Sequence, residues 1–185
     1  MTCSLPLSSP AMGIPVTAGS ENWNSCPNTD QRGLVRHSTG FRAIGAYEPE
    51  VVIYVKTGVL GANDGSSWSN AFTDLQNAID SAGKDDQVWV ARGTYKPTSW
   101  PNGGSEDREK HFSLRNGVSV YGGFAGAETS PAQRNIRSNP VFLSGDIGDE
   151  GDNSDNCYHV FYHPETLLLD NTAVLDGFTI SGGNA

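Results

Sequence analysis

Short apolar runs separated by turn-forming residues dominate the chain after residue 50. The runs are three to seven residues long, and most are bounded by Gly, Asn, Asp or Pro, which favour turns. Runs of this length are too short for the helices of a bundle and match the usual length of β-strands. The pattern therefore predicts seven strands, at residues 51–55, 88–91, 112–114, 118–124, 141–143, 160–162 and 174–180.

One segment has a helical rather than a strand-like pattern. Its apolar residues recur at helical spacing on one face, at Phe72, Leu75, Ala78, Ile79 and Ala82. We predict a helix over residues 71–82, with Ser69 or Asn70 as its N-cap. Asp74 would lie in its first turns, where the helix dipole favours an acid. Gly83 follows the last apolar position and ends the helix.

The pattern alone leaves the packing of these strands open, since sandwich, barrel and solenoid all consist of short strands. Two details favour a solenoid. Residues 116–124 and 175–184 share a layout of turn, strand and glycine pair, and most successive strands lie about 14 to 30 residues apart, as solenoid repeats do. The helix would then cover the open end of the first coil, which otherwise exposes unpaired backbone.

Composition narrows the class of protein further. The 185 residues include 22 Gly and 10 Pro but only 36% hydrophobic residues, which suits turns and short strands. Asp and Glu (21) outnumber Lys and Arg (12), so the net charge is -9. No basic stripe is present, which argues against a nucleic-acid partner. No apolar stretch approaches the roughly 20 residues of a membrane-spanning helix, and residues 1–20 lack the basic start and apolar run of a signal peptide.

The three cysteines, Cys3, Cys26 and Cys157, are widely spaced. An odd number cannot pair completely within one chain. The chain contains no Cys-x-x-Cys motif, which argues against a structural zinc site. We predict that all three thiols are free or that a single pair forms.

The motifs of residues 53–185 resemble those of a known group of proteins. They are Ile53-Tyr-Val, Gly65-Ser-Ser-Trp-Ser-Asn-Ala, Leu75-Gln-Asn-Ala-Ile, Val88-Trp-Val-Ala-Arg-Gly-Thr-Tyr-Lys-Pro, Tyr121-Gly-Gly-Phe, Leu143-Ser-Gly-Asp-Ile and Leu175-Asp-Gly-Phe-Thr-Ile-Ser-Gly-Gly-Asn-Ala. In these motifs the chain is similar to bacterial surface proteins with right-handed parallel β-helix repeats, including those like polymorphic outer-membrane proteins. The resemblance implies a mainly β fold: a right-handed parallel β-helix, or solenoid, with an N-terminal capping helix.

Residues 8–48 resemble a different part of such proteins. Ser9-Pro-Ala, Cys26-Pro-Asn-Thr-Asp-Gln-Arg-Gly and Ile44-Gly-Ala-Tyr-Glu look like the end segment of the choice-of-anchor group of surface β-helix proteins. The resemblance implies that residues 1–50 are an extended or irregular end of one module and that residues 51–185 form the cap and first coils of the next. It also implies an extracellular or cell-surface location without an established catalytic activity.

An acidic loop is the best candidate for a metal site. Asp146, Asp149, Asp152 and Asp155 fall within ten residues, with Gly and Asn between them. Ca²⁺ prefers several oxygen ligands in a flexible geometry, which such a loop can supply. The sequence therefore predicts a Ca²⁺ site at these four residues. The alternative is a solvated loop whose charges face water, which is also the role predicted for the acids of residues 85–86 and 106–107.

Two classes of function fit these observations. The first is a non-catalytic structural or adhesive surface module, which could self-assemble if segments 43–48 and 51–55 of one chain added a strand to another chain's open sheet edge. The second is a polysaccharide-binding or polysaccharide-cleaving protein of the pectate-lyase-like kind. Trp89, Trp100 and Tyr121 could stack on sugars, but the sequence fixes no nucleophile–base arrangement and no pair of spaced carboxylates. We predict the first class, without catalysis and with Ca²⁺ as the one candidate cofactor.

Overall fold

The structure, a computed structural model, describes residues 51–185, which form one compact unit. The predictions made for residues 1–50 lie outside the described residues. They are the extended or irregular segment over residues 1–50, with the module end that the resemblance of residues 8–48 implies, the strand-forming segment at 43–48, and the free or paired state of the Cys3 and Cys26 thiols.

Two small parallel sheets organise the described residues. Their strands are β1 (Val52–Val55), β2 (Gln87–Ala91), β3 (Gly93–Tyr95), β4 (Ser119–Phe124), β5 (Val141–Ser144), β6 (Val174–Asp176) and β7 (Thr179–Ser181). The first sheet has the order β1-β2-β4-β6, and the second has the order β3-β5-β7. All paired strands run parallel. Each connection between paired strands must therefore cross over, because a tight hairpin joins only antiparallel strands.

The predicted right-handed parallel β-helix with a capping helix is wrong. The described residues contain seven short strands in two parallel sheets and one α-helix, which is a mixed α/β arrangement. A solenoid requires similar coils that stack along their whole course. Here the segments after β3 and β5 are irregular and include short 3-10 turns at Asp107–Glu109 and Asn153–Asp155. The strands predicted at residues 112–114 and 160–162 are reduced to one parallel bridge.

The parallel register aligns apolar residues from strand to strand. Ile53 lies beside Val88, Val88 lies beside Val120, and Val120 lies beside Leu175. Ile53, Val88 and Val120 are almost completely buried, and the same core contains residues of the second sheet, such as Leu143. Full burial of an aliphatic side chain contributes about 1.5 to 3 kcal/mol, so this row is a main source of stability for the first sheet.

The single helix of the described residues, α1, spans Leu75–Ser81 and begins later than predicted. Its N-cap is Asp74, whose carboxylate accepts a hydrogen bond of 2.9 Å from the backbone N–H of Asn77. Residues before it are held in an extended conformation because Phe72 forms a parallel bridge with Val55 of β1. Pairing with the strand therefore competes successfully with the helical pattern over the first predicted turn.

Asp86 also departs from the sequence prediction. It was expected in an exposed loop, but it is 2% exposed. Its carboxylate accepts a hydrogen bond of 3.0 Å from the Val51 N–H and one of 2.8 Å from the Gly83 N–H. The side chain thus joins the start of the first sheet to the residue after the helix, and these backbone donors compensate for the burial of a polar group.

Candidate functional site

A cleft of about 570 Å³ is formed by the loop after residue 100 and the segment around residue 160. Its volume lies within the range of small-ligand sites in proteins. We call it the aromatic cleft, and its lining includes Asn102, Glu109, His111, Tyr158, His159 and Tyr162.

Backbone pairing brings the two walls of the cleft together. The Phe112 N–H donates to the Val160 carbonyl at 2.8 Å, and the Tyr162 N–H donates to the Phe112 carbonyl at 3.1 Å. Because successive side chains of an extended segment point to opposite sides, Phe112 enters the core while His111 is placed in the wall of the cleft. A third bond of 2.7 Å, from the Tyr158 N–H to the Arg108 carbonyl, fixes the start of the pairing.

The loop that closes one side of the cleft has a glycine that no other residue could replace without strain. Gly104 has φ +154, and a Cβ there would lie 2.3 Å from Cδ1 of Trp100. The Trp100 indole N–H donates to the Glu106 carbonyl at 2.8 Å, which holds the ring against the loop. Trp100, one of the three predicted sugar-stacking residues, therefore supports the loop beside the cleft.

Glu109 supplies a fixed negative charge to the cleft. Its carboxylate accepts hydrogen bonds from the backbone N–H groups of Ser105 at 2.7 Å and Glu106 at 3.0 Å. These bonds lower the pKa of the Glu109 carboxyl, because they favour its charged form. A glutamate is already ionised at neutral pH at its ordinary pKa of 4.5, and the two hydrogen bonds extend the charged form to lower pH.

Aromatic rings form the other side of the cleft. The Tyr162 ring, on a residue that is 42% exposed, lies edge-on to His111 with 5.2 Å between ring centroids. The His159 ring stacks near it at 6.0 Å. The Arg108 guanidinium lies over the Tyr158 ring at 4.2 Å and turns that ring into a cation–π partner. Tyr162 is thus an exposed tyrosine of the lining, and its ring is available for stacking beside the exposed His159.

The imidazole of His111 has one nitrogen bonded and one nitrogen without a partner. Nδ1 lies 2.7 Å from the Glu109 carbonyl oxygen, and a carbonyl can only accept, so Nδ1 carries the proton and donates. In the neutral ring Nε2 is then an acceptor. Within the part of the chain that the structure describes, Nε2 is buried and has no hydrogen-bond partner. An unpaired buried polar atom is unusual in proteins and often marks a place for water or ligand.

In a neighbouring histidine, His163, the ring acceptor has a hydrogen-bond partner, as is usual for polar atoms inside proteins. His163 Nε2 accepts a hydrogen bond of 2.7 Å from the Leu114 N–H. Burial is the main reason that the pKa of His163 is lowered, which keeps this ring neutral and able to accept. The acceptor of His163 is thus used by the backbone, and that of the more deeply buried His111 is not.

The predicted metal residues form a loop that bonds to itself. The Asp149 N–H donates to the Asp155 carboxylate at 2.7 Å, and the Gly151 N–H donates to the Asp146 carboxylate at 3.2 Å. Asp146 also pairs with Lys96 at 3.4 Å. The loop thus uses one oxygen of each of these carboxylates to bind its own backbone, while Oδ1 of Asp155 is buried and has no partner among residues 51–185.

Asp152 caps the adjacent 3-10 turn. Its carboxylate accepts from the Ser154 N–H at 2.8 Å, and hydrogen bonds from Ser154 lower the pKa of Asp152. Among residues 51–185, no three His, Cys, Asp or Glu side chains are arranged so that they could hold a metal ion. The Ca²⁺ site at Asp146, Asp149, Asp152 and Asp155 stays a prediction.

The other predicted sugar-stacking rings are engaged elsewhere. Trp89 is 3% exposed and stacks on Phe124 at 4.7 Å, and the Arg134 guanidinium lies over Tyr121 at 4.9 Å. The sequence predicts no site role for the histidines of the cleft or for Tyr158 and Tyr162. A usable signal is present in residues 157–163, Cys-Tyr-His-Val-Phe-Tyr-His, where two Tyr-His pairs flank an apolar pair.

Two further observations complete the description. Cys157 is a buried free thiol, and burial raises its pKa. In residues 51–185, none of the helical structure has the length and apolar character needed to cross a membrane. Comparison of the chain with family models, with curated proteins and with solved structures finds no match.

Proposed function

We propose that the chain is a non-catalytic extracellular or cell-surface module that adheres by binding carbohydrate in the aromatic cleft. One observation carries the proposal: the exposed ring of Tyr162 lies in a cleft that also presents polar groups of Asn102, Glu109 and His111. A sugar ring has an apolar face and a rim of hydroxyl groups. It therefore needs an aromatic surface and nearby hydrogen-bonding groups, the combination typical of small-ligand sites.

Binding is favoured over cleavage by the carboxylates of the cleft. Glycoside hydrolysis commonly uses two carboxyl groups that flank the scissile bond at a defined separation. Glu109 is the one acidic side chain among the described residues that line the cleft. The acidic, glycine-rich composition and the resemblance to secreted bacterial surface proteins support an extracellular or cell-surface location.

The test is removal of the exposed ring with a matched control. Tyr162→Ala should weaken binding of the best oligosaccharide in a mixed neutral and acidic panel by about tenfold, since loss of one aromatic contact costs about 1 to 2 kcal/mol. Phe142→Ala is the control, because Phe142 is exposed to a similar degree (39% against 42%) and lies on β5, outside the cleft lining. Isothermal titration calorimetry gives both affinities. Equal affinities for the two variants would reject the cleft as the binding site.

Self-assembly is a second candidate, favoured by the exposed ends of the sheets. β6 and β7 are terminal in their sheet orders, and Ile180 of β7 is 51% exposed. A strand from a second copy could pair with such an edge through main-chain hydrogen bonds. Sedimentation velocity would show concentration-dependent oligomers that Ile180→Lys reduces; a monomer at every concentration would reject self-assembly.

A further inference from the structure

Among the described residues that line the aromatic cleft, Glu109 is the acidic side chain, and no Lys or Arg is present. The two cations next to Glu109 in sequence do not line the cleft, although the Arg108 guanidinium lies over the ring of the lining residue Tyr158. The Arg108 guanidinium donates to the carbonyls of Asn156 and Asn184, each at 2.8 Å. The Lys110 ammonium pairs with Asp107 at 2.7 Å. An acidic sugar entering the cleft would therefore meet a carboxylate without a lining cation to offset it, and like charges at short distance disfavour binding.

The unpaired acceptor of His111 indicates that a ligand of the cleft supplies a hydrogen-bond donor. Nε2 is buried in the wall of the cleft, and its lone pair has no donor within residues 51–185. A donor that reaches it gains a hydrogen bond and also removes the cost of leaving a buried acceptor unpaired. Tyr162 lies edge-on to the imidazole and is exposed. Exposed side chains change rotamer in picoseconds to nanoseconds, so a ligand can gain access as this ring turns.

We propose that the cleft selects neutral sugars: the sugar ring packs on Tyr162, one of its hydroxyl groups donates a hydrogen bond to Nε2 of His111, and Glu109 excludes uronic acids. This inference rests on the proposed carbohydrate-binding function and specifies its ligand class. His111 thereby becomes a specificity-determining residue. A hydroxyl group fits the vacant acceptor because it carries a proton, whereas a carboxylate has only acceptor oxygens at neutral pH.

Calorimetry with two sets of probes tests the inference. The neutral probes are hexamers of glucose, mannose and xylose, and the acidic probes are hexamers of galacturonate and mannuronate. We expect the chain to bind at least one neutral probe at least tenfold more tightly than any acidic probe. His111→Phe keeps an aromatic ring but removes the acceptor, and it should weaken the preferred neutral probe about 5- to 20-fold, since a buried acceptor–donor pair contributes about 1 to 2 kcal/mol.

Two further variants separate these effects: one tests the acceptor of residue 111 without its ring, and the other tests the charge of residue 109 without disturbing the loop. His111→Gln retains an acceptor and should recover part of the affinity that His111→Phe loses. Glu109→Gln keeps an oxygen for the N–H groups of Ser105 and Glu106 but removes the charge. It should raise the ratio of acidic-probe affinity to neutral-probe affinity at least threefold. Near-ultraviolet circular dichroism confirms folding, and if His111→Phe does not fold, the Glu109→Gln and His111→Gln results decide.

The outcomes distinguish the inference from the function on which it rests. If no probe binds, the carbohydrate-binding proposal itself fails. If a neutral probe binds through Tyr162 but His111→Phe has no effect, the cleft binds sugar and the role of His111 is refuted; a trapped water would then satisfy Nε2. If the acidic probes bind more tightly than the neutral ones, the ligand class is refuted while the cleft stands.

Discussion

The acidic loop of residues 146–155 and the aromatic cleft both contain polar groups, but they use them differently. In the loop, the carboxylates of Asp146 and Asp155 accept hydrogen bonds from the loop's own backbone. In the cleft, the acceptor of His111 is buried with no donor among the described residues. The loop also contains one buried acceptor without a partner, Oδ1 of Asp155, so an unmet hydrogen-bonding requirement occurs in both regions. In the cleft, the unmet acceptor belongs to a residue that lines a cavity of about 570 Å³ together with the exposed Tyr162. The comparison teaches that an unpaired acceptor indicates a ligand best where a cavity and an exposed ring lie beside it.

The largest expected effect on stability comes from replacing a glycine beside the cleft with alanine, compared with the same change in the acidic loop. Gly104→Ala should destabilise the chain by about 3 kcal/mol, because the new Cβ meets the Trp100 ring and the backbone is strained, and it should abolish sugar binding. Gly151→Ala in the acidic loop is the matched control. Gly151 also has positive φ, at +85, but a Cβ there would meet nothing within 4 Å. This change should cost only about 1 kcal/mol.

Urea unfolding with calorimetric binding measures both effects. If the two alanine variants have the same stability and both bind sugar normally, then the packing of loop 100–106 does not shape the cleft.

Calcium provides a test of the acidic loop with an intermediate effect. If its four aspartates bind Ca²⁺, calcium at tenfold above Kd should stabilise the folded state by about 1.4 kcal/mol, which raises Tm by about 4 °C for a chain of this size. The double change of Asp146→Asn and Asp149→Asn should remove the rise, and His111→Phe should leave it intact. An identical Tm in chelator and in millimolar calcium would mean that the carboxylates serve only their own backbone.

The smallest expected effect is on the pH dependence of stability. The pKa of Glu109 in the cleft and that of Asp152 in the loop are both lowered by hydrogen bonds in the folded state. Each carboxylate therefore stabilises the folded state at pH values above its ordinary pKa, which is 4.5 for Glu109 and 3.8 for Asp152. This stabilisation is lost as the pH falls through the lower pKa of the folded state. Glu109→Gln should flatten the pH dependence below 4.5, and Asp152→Asn should do so only below 3.8.

Denaturant titrations between pH 2 and 6 measure these slopes. A slope for either variant equal to that of the unchanged chain would contradict the assigned hydrogen bonds.

Local pattern predicted the strands better than their assembly. The apolar runs at residues 51–55 and 88–91 match β1 and β2 within one residue. The run at residues 174–180 divides at a bend at Gly177 into β6 and β7, which periodicity does not reveal. β3 was missed because Tyr95 is the one fully buried residue in its three positions, too few for an apolar pattern.

Long-range contacts explain the remaining differences. The sequence around Asp86 predicts an exposed loop acid. The residue is buried because its carboxylate accepts hydrogen bonds from backbone N–H groups of two separate segments. The aromatic cleft depends on the pairing of residues 108–112 with 158–162, and nothing in either segment alone specifies the other as its partner. Periodicity predicts which face of an element is apolar, but it does not predict which elements meet.

The most direct test of the central claim follows the imidazole nitrogens of His111 by long-range ¹H–¹⁵N NMR during titration with the neutral hexamer that binds best. Nε2 of a neutral ring changes its ¹⁵N shift when its lone pair accepts a hydrogen bond, while Nδ1 remains bonded to the Glu109 carbonyl. The account predicts a saturable upfield shift of Nε2, with the same Kd as calorimetry and no comparable change at His163. Saturation of the chain with sugar while the His111 Nε2 signal stays fixed would contradict it.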